Sequence, residues 1–337
     1  MDKELIRVEN LKKYYDIKGG IVTHTISQIQ AVDGVDFSIK KGETLGLVGE
    51  SGCGKSTIGQ LLVGLLAPTD GAIYYRGKKI GAKSLTHSEK KARKQVGTNL
   101  QMIFQDSYSS LNPRKHIYDI LAQPMLYHGV ADKGTIDNDL NQLLDMVGLP
   151  KSALLKYPHE FSGGQRQRIG IAKALSLKPE FIVCDEPVSA LDVSIQAQIL
   201  NLIRELQNEL ELTSLFVGHG LGAVRYVSDR IAVMYLGKIV EIADAGEVFM
   251  HPAHPYTKAL TQAAPVADPG RREEKPAVLT GEVASAVHPP KGCRFHPRCP
   301  YAREECRVSE PMLLPIAENP DHLVACPYYE GTNAQKH

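Results

Sequence analysis

The chain has 337 residues, a formal net charge of +1 and 43% apolar residues. This balance is typical of a globular protein of one or two domains and lacks the basic excess that points to nucleic-acid binding. No apolar run approaches the roughly eighteen residues that a membrane-spanning helix needs, and the charged start at residues 1–4 lacks the apolar part of a secretory signal. We therefore expect a cytosolic protein with no nucleic-acid partner.

Short apolar stretches separated by turn signals fill residues 4–48 and predict an antiparallel strand layer that leads into a strand at 44–48. Tyr15 lies at the end of the first stretch. An aromatic ring near a nucleotide can stack on a purine, although an exposed tyrosine at a strand end is common by itself.

A glycine-rich turn at residues 49–57 fits the pattern G-x-x-x-x-G-K-S/T. It follows a strand and precedes an apolar-periodic segment, 58–66, and this context separates a phosphate-binding loop from a chance match. The glycines let backbone N–H groups surround phosphate oxygens, and the helix N-terminus favours negative charge. We expect Lys55 to reach the β- and γ-phosphates and Ser56 to hold Mg²⁺. The chain is thus predicted to bind a nucleoside triphosphate.

The residues of this loop that are predicted to contact the nucleotide are Gly49, Ser51, Gly52, Cys53, Gly54, Lys55, Ser56 and Thr57. Cys53 is a thiol in an electropositive loop at a helix N-terminus. Such a position lowers the pKa of a thiol, so we expect Cys53 to be reactive.

Residues of about 106–178 show a helical pattern broken by proline and glycine, which predicts a helical subdomain inserted into an α/β core. The strand before it ends at Gln105. Near its end, Ser162-Gly163-Gly164-Gln165 precedes a helical run at 169–177. A serine and two glycines at a helix start predict a second anion-binding site, which a single nucleotide on the first loop does not need.

Two acidic residues, Asp185 and Glu186, follow four apolar residues. This pattern predicts a central parallel strand whose carboxyl end faces the ligand crevice, where adjacent carboxylates suit Mg²⁺ and an attacking water. His219 follows the next strand, at 214–217. A single histidine there is usually unremarkable, but beside a triphosphate it can hydrogen-bond the γ-phosphate.

These segments, in this order and spacing, resemble the ATPase subunit of an ATP-binding-cassette (ABC) transporter over about residues 4–260. The most specific element is Ser162-Gly163-Gly164-Gln165, the family signature. The resemblance implies an ATP site with these roles: Tyr15 stacks on adenine, Gln105 senses Mg²⁺ and the membrane partner, Asp185 supports the metal, Glu186 is the general base, and His219 is the switch histidine.

The resemblance also implies that two subunits sandwich two ATP molecules, each between the phosphate loop of one subunit and the signature of the other. Lys55, Mg²⁺ and the partner's signature helix would then stabilise charge on the γ-phosphoryl group. The sequence departs from the family around His219, where Gly218 and Gly220 stand in place of serine and aspartate. The missing aspartate removes a carboxylate that helps to fix this loop.

Three further segments, 105–113, 185–198 and 254–260, resemble the oligopeptide/dipeptide importer branch, and its second ATPase subunit most of all. This implies that the chain energises peptide import from the cytoplasmic face of the membrane. The implied partners are a second, homologous ATPase subunit, two membrane permease subunits and an extracytoplasmic substrate-binding protein. A nickel or metallophore importer, or a soluble ABC ATPase without a transport role, stays as an alternative.

The implied fold is an α/β P-loop NTPase core with an antiparallel β layer, a helical subdomain and a small cysteine-rich extension. We expect the ABC ATPase domain at 1–262, a linker at 263–292 and the cysteine-rich region at 293–337.

Four cysteines lie in that last region, separated by five, six and nineteen residues, unlike the C-x-x-C pairs of zinc ribbons. A small cytosolic tail with little else to form a core needs a metal to stabilise it. Composition leaves zinc and iron–sulfur open, and free cysteines without metal are a further alternative. The segment at 292–300 resembles the end of peptide-importer ATPases, where it can hold a 4Fe–4S cluster. The expected ligands are Cys293, Cys299, Cys306 and Cys326.

His296 and His322 lie near these cysteines in the sequence. Four thiolates already complete a tetrahedral set, so both histidines are expected at the surface rather than on the metal.

Overall fold

The structure is a computed structural model that describes residues 4–19, 24–106, 108–263 and 284–329. Its strands are β1 (Glu4–Gly19), β2 (His24–Lys40), β3 (Thr44–Val48), β4 (Asp70–Tyr75), β5 (Lys78–Ala82), β6 (Leu100–Ile103), β7 (Phe181–Asp185), β8 (Thr213–Gly218), β9 (Arg230–Tyr235), β10 (Lys238–Asp244), β11 (Leu314–Ile316) and β12 (Asn319–Val324).

Its α-helices are α1 (Lys55–Leu62), α2 (His87–Val96), α3 (Ile117–Tyr127), α4 (Ile136–Met146), α5 (Gly163–Leu175), α6 (Val193–Glu209), α7 (Leu221–Val227), α8 (Ala245–Met250), α9 (Pro255–Ala263) and α10 (Glu304–Val308). Short 3-10 turns lie at Lys151–Leu155, Pro158–Glu160 and His296–Arg298.

The described strands form two sheets. An antiparallel sheet has the order β2-β1-β4-β5, and a mixed sheet has the order β11-β12-β10-β9-β3-β8-β7-β6. Within the mixed sheet, β9, β3, β8, β7 and β6 run parallel. Every residue of β3, β7 and β8 is buried, as near-continuous apolar strands in a parallel sheet require. The predicted α/β class with an antiparallel layer is confirmed.

The two faces of the parallel strands belong to different cores, because successive side chains of a strand point to opposite sides. Phe181 and Val183 pack with α1 and the antiparallel sheet. Ile182 and Cys184 pack with α5, α6 and the helices between β6 and β7. The central sheet is therefore covered on both sides, and the ends of its strands are left to build a site.

The helical region predicted between Gln105 and the next strand is observed as α3, α4 and α5. The predicted run at 169–177 begins earlier, at Gly163, since Ser162 caps the helix and supplies its first turn with a hydrogen-bond acceptor. Residues 4–19 and 24–40 form two long strands instead of several short ones, and the register shifts between Leu11 and Lys12 of β1, opposite the Asp33-Gly34 turn signal of β2.

The C-terminal region contributes a hairpin that the sequence analysis missed. Its strand β12 pairs with β10, so that Val324 faces Glu241 and Leu323 faces Ile242, and it extends the mixed sheet. Val324 and Tyr329 are buried together with Ala253. The region thus has core contacts of its own, contrary to the expectation that little besides metal could stabilise it. Most of the predicted linker, residues 264–283, lies outside the described residues.

Glu241 of β10 is fully buried and joins three segments of the chain. Its two carboxylate oxygens accept hydrogen bonds from the backbone N–H groups of Ala253 and His254, each at 2.8 Å, and from Nε2 of His322 at 2.7 Å. Burial lowers the pKa of His254 to about 4, so this neighbour is neutral at pH 7. The expectation that His322 lies at the surface is wrong, because this bond holds it inside.

Nowhere in the described ranges does a helix combine the length and the apolar character needed to cross a membrane.

Replacing Glu241 with alanine removes the acceptor of three buried donors and is expected to lower the free energy of unfolding by about 3 kcal/mol. Chemical denaturation followed by circular dichroism measures this change. Glu304→Ala is the matched control, because the Glu304 carboxylate is exposed in a surface ion pair. Equal denaturation midpoints for the two variants would contradict the role given to Glu241.

Candidate nucleotide site

The glycine-rich loop between β3 and α1 is pressed against neighbouring backbone, so two of its glycines are required. Gly49 and Gly54 adopt φ angles of 153° and 110°. A Cβ on Gly49 would lie 2.1 Å from the Met234 carbonyl oxygen, and one on Gly54 would lie 2.0 Å from that of Ala31. Any side chain at either position would force the loop away from β9 or β2.

Lys55 lies inside the loop. Its ammonium donates to the carbonyl oxygens of Gly49, at 2.8 Å, and Glu50, at 3.0 Å, and the residue is only 4% exposed. The loop therefore closes around a positive charge, as a phosphate-binding loop requires. To reach a bound phosphate, Lys55 must exchange these carbonyl acceptors for phosphate oxygens.

The hydroxyl of Ser56 donates to Oδ1 of Asp185 at 2.8 Å, which joins α1 to the end of β7. Burial raises the pKa of Asp185 above its usual range, the bond from Ser56 opposes this rise, and the charge of Glu186 adds to it. A hydroxyl and a carboxylate side by side are oxygen donors of the kind that Mg²⁺ prefers, so these residues fit the predicted metal.

The Glu186 carboxylate contacts two other predicted site residues, Gln105 and His219. Its Oε2 accepts a hydrogen bond from Nε2 of Gln105 at 2.9 Å, and its Oε1 contacts Nε2 of His219. The three residues follow β7, β6 and β8, which are neighbouring parallel strands, so their carboxyl ends meet at one edge of the sheet. Glu186 itself has a φ of 47°, a strained conformation that turns the chain out of β7.

The signature segment forms a helix start that satisfies its own polar groups. Ser162 Oγ accepts from the N–H of Gln165 at 3.4 Å, and Gln165 Oε1 accepts from the N–H of Ser162 at 3.0 Å. Gly164 leaves no room for a side chain, since a Cβ would lie 2.5 Å from Cγ2 of Ile195. Among the described residues, no hydrogen bond links this segment to the loop at 49–57, and Ser162 and Gln165 are exposed.

Tyr15 lies on β1 opposite Ile29 of β2 and is half-buried. The ammonium of Lys13 lies 5.1 Å from the centroid of its ring. The ring thus already interacts with a cation on one side. Its role in stacking on adenine stays a prediction.

The expectation of a reactive Cys53 is wrong. The residue packs in the core below the loop, and burial raises the pKa of its thiol even though Lys55 opposes the rise. The sequence shows the loop and the helix N-terminus but not how deeply the Cys53 side chain is buried. Burial is the largest influence on the pKa of this thiol.

Three contacts around the loop had no signal in the sequence. The N–H of Glu50 donates to the Tyr256 hydroxyl at 2.9 Å, and the N–H of Gly237 donates to the carbonyl of Cys53 at 2.9 Å. The guanidinium of Arg298 binds both carboxylate oxygens of Glu50, at 2.8 and 3.1 Å. The partners are separated by up to 248 positions, so only the fold brings them together.

The four C-terminal cysteines share one small region, but their side chains do not assemble into a ligand set. Burial raises the pKa of Cys293 to about 11, and the charges of Cys306, Cys326 and Cys299 add to the rise. The N–H of Cys293 also donates to the carbonyl of Cys306 at 2.8 Å. Yet within the described ranges no three or more His, Cys, Asp or Glu side chains are arranged to hold a metal ion. The described residues therefore do not show the predicted four-thiolate site as a preformed metal site.

Comparison with known proteins identifies the family. Residues 32–189 match the ABC transporter family, and residues 240–306 match the oligopeptide/dipeptide transporter C-terminal region. The oligopeptide transport ATP-binding protein AppF of Bacillus subtilis is 49% identical over 326 residues, which cover 96% of this chain and 97% of that protein. The chain belongs to the ATP-binding proteins of the oligopeptide/dipeptide ABC transporters.

Other members of these ABC transporter ATP-binding proteins are nearly as similar. The oligopeptide transport ATP-binding protein OppF of Salmonella typhimurium is 46% identical over 316 residues, which cover 92% of this chain and 93% of that protein. The dipeptide transport ATP-binding protein DppF of Haemophilus influenzae is 44% identical over 322 residues, which cover 96% of each protein.

A solved structure supports the fold of this ABC ATPase. The dimeric, post-hydrolysis state of the ATP-binding cassette MJ0796 bound to ADP and Pi has a TM-score of 0.61 and 26% identity, and the match covers 71% of this chain and 98% of that one. The predicted fold and the family are confirmed.

In the native ABC ATPase at pH 7, Cys53 is expected to react with iodoacetamide at least about tenfold more slowly than in the denatured chain, because burial both excludes the reagent and disfavours the thiolate. The rate should rise with pH, since a raised pKa delays ionisation to more alkaline solution. Peptide mass spectrometry after timed quenching measures it, with Cys53 of the denatured chain as the reference. Equal rates in native and denatured protein would contradict the buried position.

Proposed function

We propose that this chain is the ATP-binding and ATP-hydrolysing subunit that energises import of di- or oligopeptides through a membrane permease. The observation that carries the proposal is the convergence of Gln105, Glu186 and His219 beside the Ser56–Asp185 pair, at the edge where the phosphate loop leaves the sheet. The names of the relatives, oligopeptide and dipeptide transport ATP-binding proteins, support peptides as the cargo.

The residues divide the chemistry between them. Lys55 would neutralise charge on the β- and γ-phosphates, and Ser56 with Asp185 and Gln105 would hold Mg²⁺, which supplies electrostatic stabilisation of the transferred phosphoryl group. Glu186 would accept a proton from the attacking water, and His219 would bind the γ-phosphate. In this structure Glu186 is engaged by Gln105 and His219, so both must rearrange before a water can take their place. Hydrolysis would therefore begin only after bound ATP has drawn Gln105 and His219 away from Glu186.

The signature segment suits a partner's nucleotide. Ser162, Gly163, Gly164 and Gln165 start α5, a helix of 13 residues, and present its N-terminus to solvent. We propose that a second, homologous ATPase subunit forms a heterodimer with this chain, so that each signature meets the phosphate loop of the other. The complex would further contain two permease subunits and an extracytoplasmic substrate-binding protein, with this chain at the cytoplasmic face of the membrane.

The same proposal assigns regions to tasks. Residues 1–262 would form the ABC ATPase domain, with helices at about 106–178 that transmit ATP-driven closure to the permease. Residues 263–292 would connect it to the cysteine-rich region at 293–337.

Glu186→Gln keeps the shape of the side chain but removes the base. In the assembled transporter, this variant is expected to lose at least about 100-fold in ATPase activity while it still binds ATP. Phosphate release and nucleotide titration measure the two effects. Glu209→Gln, at the exposed end of α6, is the control. ATPase activity in Glu186→Gln equal to that of the control would refute the role of Glu186.

We also propose that Cys293, Cys299, Cys306 and Cys326 ligate a 4Fe–4S cluster, with zinc as the alternative metal. Four thiolates are the usual ligand set of such a cluster, and the contribution of Cys306, Cys326 and Cys299 to the raised pKa of Cys293 supports their proximity. Ligation requires that the four side chains converge further and lose their protons.

Protein purified under anaerobic conditions is expected to be brown, to show a broad visible absorption that dithionite bleaches, and to contain about four irons per chain. Absorption spectroscopy and metal analysis test this, and Cys306→Ser should lose the colour. Colourless protein that contains zinc would support the alternative metal. Colourless protein free of both metals would refute the proposal and leave the ATPase assignment untouched.

A further inference from the structure

Glu50 is a residue of the phosphate loop whose N–H and carboxylate are both held by side chains from outside the loop. Its N–H donates to the hydroxyl of Tyr256 on α9, and its carboxylate accepts two hydrogen bonds from Arg298. Both partners come from the C-terminal third of the chain. Glu50 also offers its carbonyl to the ammonium of Lys55 at 3.0 Å, so the same residue connects the C-terminal region to the lysine that binds phosphate.

The Arg298–Glu50 pair is shielded from solvent. The side chain of Arg298 is 5% exposed and that of Glu50 is 24% exposed. Two guanidinium nitrogens each donate to one carboxylate oxygen, so the pair is bidentate. The bond to Glu50 raises the pKa of Arg298, which stays charged. Removing one partner of such a pair leaves an uncompensated charge at the site, which is costly.

Arg298 is itself held firmly in position. Three residues before it, Phe295 is buried; its ring packs edge-on against Tyr235 at 5.3 Å and at a tilt against Tyr256 at 5.4 Å, measured between ring centroids. Arg294 donates to the carbonyl of Leu236 and to the carboxylate of Asp33. The segment at 294–298 is thus fixed onto the turn between β9 and β10, the turn that also bonds the phosphate loop through Gly237.

We propose that Arg298 is a positioning residue for ATP binding, and that through Glu50 the C-terminal segment sets the charge and the shape of the phosphate loop. Glu50 is an acidic residue in a loop that receives a triphosphate, so its carboxylate repels the ligand unless a cation neutralises it. Arg298 supplies that cation and keeps the carboxylate turned away from the phosphates. The inference rests on the ATP site of the proposed function and extends it to a residue outside the ATPase core.

The first test compares Arg298→Ala with Arg307→Ala in the assembled transporter. Arg307 is exposed and, among the described residues, forms a surface ion pair with Glu304 in the same C-terminal region, so its loss serves as the control. Arg298→Ala is expected to raise KM for ATP about tenfold with kcat changed less than about twofold, because the effect falls on binding and not on the chemical step. A KM equal to that of Arg307→Ala overturns the inference.

The second test separates charge from mere packing. In the double variant Arg298→Ala with Glu50→Gln, the unpaired carboxylate is gone, so KM is expected to fall back towards the wild-type value. High salt should likewise reduce the difference between Arg298→Ala and wild type, because salt screens the repulsion. A double variant that binds ATP as weakly as Arg298→Ala would show a structural role only and would overturn the inference.

Should Arg298→Ala fail to fold, Arg298→Lys tests the same point, because it keeps the charge but not the two-pronged geometry. The double variant Glu50→Asp with Arg298→Gln serves as the comparison, because it leaves a carboxylate in the loop without a cation. Arg298→Lys is expected to raise KM for ATP by less than this double variant. The reverse order overturns the inference. Wild-type protein that neither binds nor hydrolyses ATP would instead refute the proposed function, so the two failures are distinguishable.

Discussion

The parallel pairing of β3, β8, β7 and β6 is the constraint on which the site depends. Parallel strands end at the same edge, so the phosphate loop, His219, Glu186 and Gln105 emerge side by side although up to 170 positions separate them in the chain. The pairing is possible because apolar residues fill both faces of these strands and the two cores bury them. The apolar composition of the strands thus determines where the predicted catalytic groups lie.

The polar groups at this edge satisfy one another. The ammonium of Lys55 donates hydrogen bonds to two loop carbonyls, and the Ser56 hydroxyl donates to Asp185. The Glu186 carboxylate accepts from Gln105 and contacts His219. Buried charges need partners, so a site built to bind a triphosphate must hold its cations and carboxylates in alternative pairs. In the proposed mechanism, binding of ATP would exchange these pairs for bonds to phosphate and metal. Such an exchange would release Gln105 from Glu186, and Gln105 leads into the helical region.

Local patterns predicted the core of the site, and long-range packing decided the rest. The phosphate loop, β7 with its two acids, and the serine cap of α5 are each visible within a few residues, because their chemistry is local. Hairpin β11–β12 was missed, since its stability comes from pairing with β10 and from the buried Glu241–His322 contact. The pKa of Cys53 was misjudged for the same reason: burial under the loop is a property of the fold.

Two hydrogen-bonded pairs of side chains help to fix the C-terminal region. Glu241 with His322 holds the hairpin to β10, and Arg298 with Glu50 holds the segment near the cysteines to the phosphate loop. Such pairs contribute little net stability compared with apolar packing, but a misplaced partner leaves a polar group without its hydrogen bond, so they select one arrangement over others. Since Cys299 follows Arg298 directly, the arrangement of the cysteines and that of the phosphate loop are mechanically connected. Any change that shifts this segment must either move Glu50 with it or separate the Glu50 carboxylate from Arg298.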